Sequence, residues 1–139
     1  MTTAENSNTE KPDAWIALMA RSWQQQLGQP ELTTEAFNAR SSTRVTAQVF
    51  NSAVMLGLGM YSAYEGLQAY QTSSWGKLAL CTVGAYLTLK MARLSFRTSR
   101  AERMLLGIGQ QHGAEVAREM INRTEAYHAP ALAKPKRQP

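Results

Sequence analysis

Cysteine occurs once in the 139 residues, at Cys81, so a single chain can form neither an internal disulfide nor a thiolate metal cluster. Cys81 lies within the apolar run from Leu78 to Leu89 and reads as a small buried hydrophobe. The two histidines, His112 and His128, are far apart in sequence, and no helix-spaced carboxylate or thiol completes a tetrahedral site with either. No metal is expected. Proline is missing between Pro30 and Pro130, and strand-like alternation is missing throughout, so nothing in that stretch stops a helix decisively except the polar break near Gln71 to Ser74. The expectation is an all-α fold. The N-terminus lacks the basic start and apolar stretch of a secretory signal, so any membrane insertion would use internal segments.

Catalytic patterns are also missing. The serines sit without a paired His and Asp signature, and no nucleophile, base and oxyanion set can be assembled. The segment from Gly107 to Gly113 has the glycines of a nucleotide loop. It follows a helical stretch, lacks the Lys-Ser/Thr ending and has the wrong third spacing, so it reads as a break between two helices. Neither an enzyme nor a cofactor is expected.

What is present is an uneven distribution of charge. From Val45 to Tyr64 twenty consecutive residues carry no charge, about the number a helix needs to cross a hydrocarbon core. A second run, Leu78 to Leu89, has only twelve and is bounded by Lys77 and Lys90, whose stems would have to extend it. Together, residues 45–96 read as a hydrophobic helical hairpin of two transmembrane helices. Small residues at four-residue spacing, Ala53 with Gly57, Gly59 with Ala63, and Gly84 with Thr88, offer ridges for close helix packing. Trp15, Trp23 and Trp75 are candidate interfacial anchors. Asn51, Glu65 and Gln68 stand against free exposure to lipid, since a carboxylate at mid-membrane costs roughly 3 kcal/mol.

The net charge of +5 points to an anionic partner. Lys90, Arg93, Arg97 and Arg100, spaced three, four and three, place four cations on one helix face directly after the second apolar run. Arg40 and Arg44 precede the first run, and the connection from Gln71 to Ser74 has no cation. By the positive-inside bias both termini would be cytoplasmic, with Lys77 dissenting, and the stripe would meet lipid phosphates.

Flanking helices complete the expectation. Residues 1–12 read as a disordered tail, 13–44 as an N-terminal helical arm capped at Asp13 and again at Thr33 or Thr34, 97–128 as a C-terminal helical arm, and 129–139 as a basic, Pro-containing tail. The function expected is a small non-catalytic membrane-embedded component of a multiprotein assembly, with other subunits or copies of itself and membrane lipid as partners. The alternatives are a soluble structural or connector component of a large particle, whose basic stripe faces nucleic acid, and a holin-like pore-forming protein.

Overall fold

The computed structural model describes residues 12–133; the expected tails at 1–11 and 134–139 lie outside them. The chain forms four helices: α1 (Ala14–Leu27), α2 (Thr34–Gln71), α3 (Trp75–His112) and α4 (Ala114–His128), followed by a 3-10 turn over Ala129–Leu132. There is no strand among the described residues.

The helix starts follow from local chemistry. Asp13 Oδ1 accepts from the Trp15 N–H at 2.9 Å, and Thr33 Oγ1 accepts from the Ala36 N–H at 3.3 Å, so each helix has a side-chain cap for an otherwise unsatisfied donor. Glu35 adds an acid in the first turn of α2, where it complements the helix dipole. At the tip of the hairpin, Ser73 adopts a left-handed φ of 55°, and the Ser74 N–H reaches back to the Ala69 carbonyl at 2.9 Å, a Schellman-type stop. At the other end of α3, Gly113 has φ 87° and ψ 166°, a region open essentially to glycine alone, and α4 begins at the next residue.

The helices α2 and α3 each run 38 residues, about 57 Å, and pair along their length. The hairpin is therefore longer than residues 45–96, and α3 continues through Gly107 and Gly109 to His112, so the expected break over Gly107 to Gly113 shrinks to Gly113 alone. Gly109 explains why its own position stays helical: a Cβ there would fall 2.7 Å from Phe37 Cε1, so the glycine lets α2 and α3 approach closely.

The shorter α1 and α4 cover only the base of the hairpin. Met19, Trp23, Leu27, Leu32, Phe37, Leu105, Ala117 and Ile121 form one core among the four helices. Phe37, Leu27 and Ile121 are fully buried, each contributing roughly 1.5–3 kcal/mol by burial. At the lower end, Arg118 donates to the Leu32 carbonyl at 2.5 Å. At the upper end, the Asp13 N–H donates to His128 Nδ1 at 3.2 Å, and the 3-10 turn packs on α1 and α4. Ala129–Leu132 thus belongs to the bundle and not to a tail.

Candidate insertion hairpin and its basic face

Above the base, the hairpin stands as two helices with no third element beside them among the described residues. Cross-helix contacts set the register: Arg44 meets Glu102, Ser95 Oγ bonds Gln48 and Asn51, Gly59 faces Thr88 and Leu89, Ser62 faces Gly84, and Gly66 faces Cys81. The closest approaches in the seam are at Gly59, Gly66 and Gly84, which meet Thr88, Leu89, Cys81, Leu78 and Ser62. A Cβ on Gly59 would sit 3.0 Å from Thr88 Oγ1, and one on Gly66 would sit 3.3 Å from Cys81 Cβ.

Most large apolar side chains are exposed, with Val45, Met55, Leu78 and Leu94 half-buried. Between residues 45 and 96 the only buried hydrophobic residues are Ala69 and Ala92, while eighteen of the twenty-three exposed large hydrophobics of the described chain lie in that stretch. Phe50 and Trp75 are each 70% exposed, and Leu80 is 77% exposed. An independently soluble helix pair would place its large side chains between the helices; this one leaves most of them exposed.

The register also corrects the expectation of two transmembrane helices. Among the described residues no helix is long and apolar enough to cross a membrane. The physical reason lies in each helix separately: the uncharged run of α2 is diluted by Thr46, Gln48, Asn51, Ser52 and Ser62, and that of α3 is short; in addition, the two runs are offset. The lower part of Val45 to Tyr64 lies beside the part of α3 that carries Lys90, Arg93, Arg97 and Arg100. The uncharged layer of α3 extends only from Leu89 to Leu78, twelve residues or about 18 Å, against roughly 30 Å of hydrocarbon. Glu65 falls inside it and is answered from the tip side by Lys77, at 2.7 Å.

The packing ridges divide by face. Gly59, Gly84 and Thr88 lie in the seam, as do Ser62, Gly66 and Cys81. Ala53 and Ala63 are exposed, and a Cβ on Gly57 would meet nothing within 4 Å, so these three are not seam residues.

The tryptophans also divide. Trp23 is 5% exposed in the core with Nε1 donating to Glu102 Oε1 at 3.2 Å, which removes it as an interfacial anchor. Trp15 is partly buried, and its Nε1 donates to Thr98 Oγ1 at 3.0 Å, tying it to α3. Only Trp75, at the tip, faces outward.

Two charged groups at the base escaped the sequence reading. Glu102 is 1% exposed, and its Oε1 accepts from Arg44 at 2.9 and 3.1 Å as well as from Trp23. Arg44 also donates to Ser22 Oγ at 3.2 Å and to Gln26 Oε1. One guanidinium thereby joins α1, α2 and α3. The only available sequence signal was an isolated acid among cations, which does not distinguish a core ion pair from a surface charge.

The basic stripe is real in geometry. Lys90, Arg93, Arg97 and Arg100 are all exposed, with Lys90 Nζ 5.9 Å from the Tyr86 ring centroid. Arg97 is partly answered within the chain, its Nη2 lying 3.2 Å from Asp13 Oδ2. Among the described residues, no group of three or more His, Cys, Asp or Glu side chains is placed to hold a metal ion. No family model, curated protein or solved structure matches this chain.

Proposed function

We propose that the chain is a small non-catalytic anchoring subunit of a multiprotein assembly, with its hairpin seated in a membrane among partner helices and its four-helix base as the contact region outside. The observation that carries this reading is the surface of the distal hairpin: glycines at its closest approaches and most of its large apolar residues exposed on both helices. In lipid, apolar area gives helices no drive to associate, so small residues that let backbones approach are the favoured seam. In water the same arrangement leaves the apolar surface uncovered.

Further features favour a membrane over a soluble particle. Tyr70 and Trp75 are exposed at the tip and cations are exposed at the lower edge of the apolar layer, the order of an aromatic belt and a basic flank. Partner protein is required by the offset of the charge-free runs. On α2 twenty residues without charge are long enough to face lipid, whereas α3 carries Lys90 and Arg93 at the same depth and needs polar neighbours there. By the positive-inside bias the basic flank would keep both termini on the cytoplasmic side.

Alkaline carbonate extraction of membranes from cells expressing the full chain tests this. Retention in the pellet is expected. Release into the supernatant would favour the soluble particle component, whose hairpin is covered by protein alone.

A further inference from the structure

We propose that the outer face of α3, from Tyr86 to Met104, docks an amphipathic helix of another protein that carries carboxylates at matching three- and four-residue intervals. The choice of a helix over lipid as partner rests on the hairpin standing upright in a membrane, as proposed above.

The face has a definite pattern. Tyr86, Lys90, Arg93, Arg97, Arg100 and Met104 follow one another at four, three, four, three and four residues, which keeps them on one line along the helix. Each is exposed, and the two apolar ends, Tyr86 and Met104, are each 63% exposed. Below the cations the line enters an apolar groove of about 190 Å³ between α1, α3 and α4, lined by Ile16, Met104, Ile108 and Met120 among others. An amphipathic helix laid along this face would seat apolar side chains at Tyr86 and in the groove, with its acids against the cations between.

The chain itself supplies one such contact. Arg97 takes the carboxylate of Asp13, which belongs to another element. Lys90, Arg93 and Arg100 make no ion pair among the described residues, so three cations of the row remain to be answered.

Length along the axis decides between a helix and a lipid surface. The cations span ten residues, about 15 Å along α3. A headgroup layer is roughly 5–8 Å thick on each side of the bilayer, too thin to meet the whole row when the hairpin stands across it. Duplex phosphates could follow the row, yet they would leave Tyr86, Met104 and the groove below without an apolar partner.

The experiment uses the purified full chain in detergent and two helical peptides of identical composition. One carries glutamates at the three-four-three spacing with leucines one turn beyond each end; the other is scrambled. The matched peptide is expected to bind at least tenfold more tightly than the scrambled one, with affinity falling as salt rises. The combined substitution Lys90→Gln, Arg93→Gln and Arg100→Gln, all on exposed side chains, should remove that difference while leaving thermal unfolding unchanged. Met104→Ser should weaken the matched peptide alone. Equal binding of the two peptides would overturn the proposal. So would salt-dependent binding of duplex DNA, or a preference for anionic over neutral vesicles larger than the preference between peptides, if the triple substitution abolished it.

Discussion

At the scale of single residues, the backbone at Gly113 and Ser73 and the side chain of Glu102 carry most of the local consequence. Gly113 holds a φ of 87° with an extended ψ, so Gly113→Ala should lower stability by about 1–3 kcal/mol without removing any contact, read by denaturant unfolding. Ser73 has the opposite sign. It occupies the left-handed position that glycine fills at no steric cost, and Ser73→Gly should stabilise the hairpin by about 1 kcal/mol. Glu102 is held by Arg44 and Trp23 in a site that is 1% exposed. Arg44→Met leaves that carboxylate without its cation and should cost about 3 kcal/mol, while Arg44→Met combined with Glu102→Leu should recover most of the loss. Equal destabilisation by the single and double variants would show that the pair is not coupled. None of these roles can be read from residue type alone: a glutamate within a basic stretch becomes structural only because α1 lays Trp23 across it.

At the scale of elements, the helix boundaries were legible and the seam was not. Asp13, Thr33 and the Gln71 to Ser74 break each have a local signature, and α1, α2 and the hairpin tip follow them. The seam depends on which residues α3 places opposite α2, and four-residue spacing is shared by Ala53 with Gly57 and by Gly59 with Ala63. Only the cross-helix register distinguishes them. Gly59→Leu should therefore destabilise the hairpin by about 1–3 kcal/mol, since the side chain must displace Thr88 and Leu89. Gly57→Leu meets open space and, with a better helix former replacing glycine, should be neutral or stabilising by up to about 1 kcal/mol in the isolated chain. Thermal unfolding of the two variants side by side checks the register; the reverse order would mean that α2 is rotated or shifted against α3.

At the scale of the molecule, the chain combines a conventionally packed base with a hairpin whose large apolar side chains are mostly exposed. The base has an apolar core and a buried ion pair, and α1 contributes Trp15, Met19, Trp23 and Leu27 at four-residue spacing to that core. The hairpin was legible as an apolar segment, and the twelve-residue second run and Asn51, Glu65 and Gln68 already marked it as a poor pair of membrane spans; the offset between Val45–Tyr64 and Leu78–Leu89 was not legible, because it exists only once the two helices are aligned. That offset is why lipid alone is an incomplete environment for it, and why a partner along α3 follows. The central claim is that the distal hairpin sits in apolar surroundings while the base does not. Spin labels placed one at a time on a Cys81→Ala background, at Leu58, Leu67, Val83 and Arg100, would report accessibility to oxygen and to a water-soluble nickel chelate in reconstituted vesicles. The account predicts that Leu58, Leu67 and Val83 exclude the chelate and admit oxygen, while Arg100 admits the chelate; free chelate access at Leu58 and Val83 would contradict it.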